Sequence, residues 1–139
     1  MQFLLTDDQR KLQETVHAFA QAKIAPVAEQ LDKDAKFPTA LFHELSELGI
    51  TSIPFEEKWG GMGLGTFETA LALEQVARAD QSLAVGTMVS IATGLTLARF
   101  GSEEQKEKYL PDVVSGKKIC SIAGTEPQMM ADAAAYNVD

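Results

Sequence analysis

The residues Ser121-Ile122-Ala123-Gly124-Thr125-Glu126-Pro127 could support one kind of chemistry, recognition of a planar heterocycle by main-chain groups. A proline at 127 holds Glu126 extended and turns the chain away from whatever precedes it. The N–H and C=O groups of Ala123, Gly124 and Thr125 are then free to bond a ring edge, and the Thr125 hydroxyl adds one more donor or acceptor. An ordinary turn at the end of a strand would use the same residues, and spacing alone does not separate the two.

Other side chains offer less. His17 and His43 stand on separate predicted helices without the clustered ligands that zinc requires, so no metal site is expected and both read as surface residues. No G-x-S-x-G elbow is present. The acid pairs Asp7/Asp8 and Glu103/Glu104 fall in first helical turns, where carboxylates complement the helix dipole. The run Gly60-Gly61-Met62-Gly63-Leu64-Gly65 suggests a phosphate cradle, but no strand precedes it and no Lys-Ser/Thr follows it. It reads instead as a tight crossover.

The elements that would position such a site are mostly helical. A chain of 139 residues with 45% apolar and 23% charged side chains is expected to fold around one core. Twelve basic against twenty acidic residues give a net charge of −8 without a basic stripe, which argues against nucleic acid. The single cysteine, Cys120, lies in an apolar run and reads as a buried thiol. The first residues, MQFLLTDDQRKL, carry acids and no basic n-region, so no signal peptide is expected and the predicted location is cytoplasmic. Gln81 to Ala98 contains no charge and approaches the length of a membrane span, yet its many Ser, Thr and Gly residues favour a buried helix.

Six helices are predicted. Thr6-Asp7-Asp8-Gln9 is a capping box for a first helix to about Lys23. Pro26 opens a short second helix and Pro38 a third, which stops at Gly49. Thr66 caps a fourth to about Ala79. The fifth, Ser82 to Phe100, is apolar nearly all round and is expected at the centre. Ser102 caps a sixth to about Leu110, before Pro111. Lys118 to Thr125 has the pattern of a strand. The fold class is therefore all-α, about six helices around a buried central one, with one C-terminal strand that begins a β-domain. The domain division falls at 1–116 and 117–139.

The order Leu5-Thr6-Asp7-Asp8-Gln9, Ile24-Ala25-Pro26, Phe37-Pro38, Leu48-Gly49-Ile50, Phe55-Glu56-Glu57-Lys58-Trp59-Gly60-Gly61-Met62-Gly63, Phe100-Gly101-Ser102-Glu103-Glu104-Gln105, Lys108-Tyr109-Leu110-Pro111 and Thr125-Glu126-Pro127 closely resembles the N-terminal part of acyl-CoA dehydrogenases. The likeness covers essentially the whole chain. It implies a flavoenzyme that oxidises the Cα–Cβ bond of an acyl-CoA, with FAD taking hydride and an electron-transfer flavoprotein reoxidising it, in a protein that is usually a homo-oligomer.

By the same resemblance the segment from Ile122 to Ala131 lines the flavin, through Ile122, Ala123, Gly124, Thr125 and Ala131. Val85, Met88 and Ala92 form the inner wall of the acyl pocket, and Ala131 also faces substrate. The family's catalytic base is a glutamate of a C-terminal bundle that no residue here matches, so no catalytic residue is assigned and the chain is expected to be inactive alone. After Thr-Glu-Pro the family usually has a small residue and then Gly-Ser/Thr-Asp, whereas this chain has Gln128-Met129-Met130-Ala131-Asp132. Two alternatives stay open: a free-standing helical binding or scaffold protein that lost the cofactor, and a related flavin monooxygenase or nitroalkane-type oxidase. In any of these the exposed apolar surface predicts self-association or a partner.

Overall fold

The computed structural model describes residues 4–124, and over them the protein is all-α, with six α-helices in chain order. The first, α1 (Asp7–Phe19), starts as the capping box requires. The Gln9 N–H donates to Thr6 Oγ1 at 3.2 Å, and the Thr6 N–H donates to Gln9 Oε1 at 2.9 Å. The helix runs on as a π turn, Ala20–Ile24, closed by the Ala25 N–H on the Ala20 carbonyl at 2.9 Å. This wider turn places both Ala20 and Ile24 fully inside the core. Pro26 follows in the connection, and α2 (Ala28–Asp34) begins two residues later than the proline had suggested. The π turn and the Val27 N–H bond to the Ile24 carbonyl take up the intervening chain.

The third helix, α3 (Thr39–Glu47), ends at Gly49, whose φ of 92° needs a residue without Cβ. α4 (Thr66–Ala79) is capped by Gly65 and not by Thr66. Gly65 has no side chain to offer, and Glu68 supplies the cap from the other direction, its Oε2 accepting the Gly65 N–H at 3.0 Å. Gln9 Nε2 donates to the other oxygen, Glu68 Oε1, at 2.8 Å, which ties the starts of α1 and α4 together and, with the two backbone bonds, holds the Glu68 carboxyl below its ordinary range.

Asp80 ends α4 and caps α5 (Gln81–Phe100), its Oδ1 accepting the Leu83 N–H at 2.7 Å. α5 lies against α4 on one side and α6 on the other. Its inner face buries Leu83, Ala84, Thr87, Ser90, Ile91 and Gly94. The Thr87 hydroxyl donates to the Leu83 carbonyl at 2.8 Å, so its burial leaves no orphaned donor. The outer face is open: Val85, Met88 and Leu95 are each more than a third exposed. The central helix is thus only partly covered among the described residues: α4 and α6 pack on its inner side, and Val85, Met88 and Leu95 stay open. Its length and composition would also suit a membrane span, with a mean hydropathy of 1.5 over 18 residues, but it packs here as the core helix of a bundle.

The sixth helix, α6 (Glu103–Val114), opens on a second capping box, Ser102 with Gln105, and continues through Pro111 instead of stopping at Leu110. A proline inside a helix removes one backbone bond and costs about 3 kcal/mol. Burial of Val113 and Val114, each contributing about 1.5–3 kcal/mol, offsets that cost.

Two apolar clusters result. The larger joins α1, α3, α4 and the start of α5 through Val16, Phe42, Leu45, Ala72, Val76 and Leu83, and the smaller joins Phe55 and Ile91 to Leu110 and Val114 of α6. Between them the glycine-rich loop folds back on two 3-10 turns, Ile50–Ser52 and Glu57–Trp59. Its donors are already used: Met62 N–H on the Ser52 carbonyl at 3.0 Å, Gly63 N–H on Phe55 at 2.7 Å and Leu64 N–H on Ile53 at 3.0 Å. The loop is a crossover and has few free N–H groups with which to hold a phosphate.

Lys118 to Gly124, expected as a strand, is not one; Thr125 lies outside the described residues. A strand is stabilised by its ladder, and among the described residues none lies beside it.

Candidate functional site

The chain leaves α6 through Gly116, at φ 68°, and is held on both sides of that turn. His43 Nδ1 donates to the Gly116 carbonyl at 3.1 Å, and Thr51 Oγ1 donates to the Val114 carbonyl at 3.0 Å. His43 is half-buried and does structural work; His17, also half-buried, stands with Nδ1 3.2 Å from Gln75 Oε1. Neither is the free surface residue that the sequence suggested. Lys118 Nζ then meets Asp112 Oδ2 at 2.9 Å, an ion pair that lowers the Asp112 carboxyl and raises the Lys118 ammonium.

From there the segment lies along α5. The Cys120 N–H donates to Ser90 Oγ at 3.2 Å, and Ser121 and Ile122 line an open recess with Thr93, Thr96, Leu97 and Phe100. Cys120 is only half-buried, yet burial pushes its thiol up, against smaller opposing effects of the Ser90 hydroxyl and the Lys118 charge. Since the thiolate is the reactive form, iodoacetamide should alkylate Cys120 in the folded chain at pH 8 several-fold more slowly than in urea. Equal rates would contradict the burial.

Ile122 is 59% exposed, Ala123 is exposed and Gly124 half-buried. Among the described residues, the main-chain groups of Ser121 to Gly124 form no hydrogen bonds with one another or with the helices. Thr125 and Ala131, the other two residues expected at the flavin, lie outside the described residues, as does Gln128-Met129-Met130-Ala131.

The expected substrate residues lie further along the same helix. Val85 and Met88, 46% and 47% exposed, line an open groove of about 270 Å³ with Ala84 and Gln81 of α5 and Ala70, Leu73, Glu74 and Ala77 of α4. Ala92 is half-buried and does not line that groove; it sits one turn beyond Met88 towards the segment. At 3.6 residues per turn Val85 and Thr96 are about 20° apart around the axis and about 17 Å apart along it. Taken over all the α5 residues that line each, the groove and the recess beside Ser121 and Ile122 are about 120° apart around the helix, so they flank its exposed side from opposite edges.

Sequence reasoning missed the α4 wall of this groove. Its signal was present in Ala70, Leu73 and Ala77, small or apolar residues at helical spacing, but only the structure shows that Ala70 and Ala77 are exposed and Leu73 half-buried. A larger recess, about 680 Å³ between α2 and the start of α5, carries Glu29, Asp32 and Asp80 and holds none of the expected site residues. Among the described residues no three His, Cys, Asp or Glu side chains converge on a metal position.

The family profile for "Acyl-CoA dehydrogenase, N-terminal domain" matches residues 6–117. The chain belongs to the acyl-CoA dehydrogenase family. A probable acyl-CoA dehydrogenase of Bacillus subtilis, YngJ, is 40% identical over 134 residues, a match that covers 96% of this chain and 35% of that protein. Among solved structures, the glutaryl-coenzyme A dehydrogenase–glutaryl-CoA complex aligns with a TM-score of 0.93 at 30% identity, covering 98% of this chain and 35% of its own. PigA, solved with FAD and proline, aligns with a TM-score of 0.84 at 31% identity over 91% of this chain and 34% of its own. The chain thus spans about a third of the length of these acyl-CoA dehydrogenase relatives.

Proposed function

We propose that this polypeptide is the N-terminal helical part of an FAD-dependent acyl-CoA dehydrogenase, which oxidises the Cα–Cβ bond of an acyl-CoA thioester and passes electrons to an electron-transfer flavoprotein. The observations that carry the reading are on α5, an apolar groove at Val85 and Met88 and, further along, the segment Ser121 to Gly124, whose main-chain groups form no hydrogen bonds among the described residues. The main-chain edge of that segment fits the donor and acceptor rim of a flavin ring, and FAD, when bound, supplies the acceptor for a hydride from Cβ. The residues of this chain orient the acyl group and exclude water along α5; the base that removes the α-proton is not among them. The division at 1–116 and 117–139, a cytoplasmic location, self-association through the open face of α5, and inactivity of the 139 residues alone belong to the same reading.

FAD added to the isotope-labelled chain should move the amide resonances of Ser121 to Gly124 and leave those of Gly60 to Gly65 in place. Flavin released by denaturation after desalting measures how much is retained. If the 121–124 amides ignore FAD, the chain is a helical binding protein without the cofactor. PigA, solved with FAD and proline, supports a second reading, an FAD enzyme of this scaffold with a substrate other than a thioester. Reoxidation by oxygen instead of an electron-transfer flavoprotein would favour it.

A further inference from the structure

Resting on the flavin reading, we infer that Ser90 of α5 is a positioning residue: its buried hydroxyl fixes where the free main chain of Ser121 to Gly124 stands against the helix. Three other hydroxyls of α5 bond their own helix, Thr87 to the Leu83 carbonyl at 2.8 Å, Thr93 to Val89 at 2.8 Å and Thr96 to Ala92 at 2.9 Å. Ser90, 1% exposed, breaks that habit. Among the described residues its oxygen forms no hydrogen bond within α5 and accepts the Cys120 N–H at 3.2 Å, from 30 residues further along the chain. A serine in mid-helix can satisfy itself on the carbonyl four residues back, here that of Gly86. This one is committed to the segment instead.

The bond is the last fixed point before the edge assigned to the flavin. Upstream, the Lys118 N–H donates to the Asp112 carbonyl at 2.9 Å, and downstream the main-chain groups of Ser121 to Gly124 bond nothing among the described residues. Two residues of chain span at most about 7 Å and a helix rises about 1.5 Å per residue. By Ile122 the chain has therefore passed little more than one turn of α5 beyond Ser90, which is where Thr93 and Thr96 line the recess. A slip of one residue in an extended chain would move the edge by about 3.3 Å and turn its N–H groups to the opposite side. Since an N–H···O bond holds only over about 2.7–3.2 Å, no donor would stay in register with a rigid ring. Without the tie, the ring would have to order the segment as it binds, at a cost in affinity.

Ser90→Ala removes the tie, and Thr87→Val is its control, because it takes a hydroxyl from the same buried face that is bonded only to its own helix. With FAD titrated into each labelled chain, the parent and Thr87→Val should respond at Ser121 to Gly124 at the same concentration, and Ser90→Ala should need about five- to tenfold more. In the parent the Cys120 amide, corrected for sequence, should exchange with solvent at least about tenfold more slowly than those of Ser121 to Gly124, and Ser90→Ala should abolish the difference. An unchanged FAD response in Ser90→Ala would overturn the assignment. So would an equal loss in Thr87→Val, which would make the effect one of general packing, or a Cys120 amide that exchanges in the parent as fast as its neighbours. If FAD moves none of these amides in the parent, the flavin reading fails and the role of Ser90 towards the ring fails with it, while the Cys120 exchange shows separately whether the tie holds the segment.

Discussion

Phe55→Ala should destabilise the folded chain by about 3–5 kcal/mol, the usual cost of emptying a fully buried aromatic site. Phe55 is 2% exposed and joins Ile91, Leu110 and Val114 in the smaller core cluster. Its ring fills the space left by the missing side chain of Gly94: a Cβ there would stand 2.7 Å from Phe55 Cζ and 2.9 Å from Val113 Cγ1. The ring is therefore the wedge that sets the distance between α5 and α6. In urea the midpoint should fall with the slope unchanged, and the melting temperature should drop by about 10–20 °C. Because α6 delivers the chain to Ser121, the variant should also weaken the response of the 121–124 amides to FAD. A loss below about 1 kcal/mol would show that α5 and α6 hold their spacing without the ring.

Gly116→Val is expected to cost about 2–4 kcal/mol, through two separable effects. The position has φ 68°, a conformation that side chains with Cβ rarely adopt. Any Cβ would also collide with the Ser46 side chain, which is buried and donates from Oγ to the Phe42 carbonyl at 2.8 Å. Comparing Gly116→Ala with the double variant Ser46→Gly/Gly116→Ala separates them, since the second removes the collision and keeps the strained φ. A non-additive recovery of about 1 kcal/mol or more in the double variant is expected. If the two substitutions simply add, the contact with Ser46 does not constrain the turn. The functional readout is again at Ser121 to Gly124, whose path along α5 starts from this turn.

Most of the helical frame was legible because its signals are local. Thr6 with Gln9 and Ser102 with Gln105 are capping boxes whose hydrogen bonds form within four residues, and Gly49 ends α3 by its own backbone freedom. Where local rules competed with burial, burial won. Pro111 marked a helix end, yet Val113 and Val114 kept α6 going, and Pro26 marked a helix start, yet the π turn placed Ile24 in the core and delayed α2. The histidines were misread because their partners, Gln75 and the Gly116 carbonyl, are 58 and 73 residues away in the chain.

The candidate site divides in the same way. Val85, Met88, Ala92 and Ile122 were singled out by the family resemblance that the series of motifs carries, and apolar spacing alone did not single them out. That Val85 and Met88 share a groove with Ala70, Leu73 and Glu74, that Ala92 stands outside it, and that Ile122 lines a recess with Thr96 and Phe100 were settled by tertiary packing. The strand pattern at Lys118 to Gly124 shows the limit most directly. Alternation and β-propensity are properties of the residues, but a strand exists only when another offers it hydrogen bonds, and here the Cys120 N–H goes to Ser90 of α5 instead. By itself the sequence determined where helices begin, which faces are apolar and to which family the chain belongs. Only the tertiary structure decided which apolar faces are covered, because coverage depends on residues that are distant in the chain.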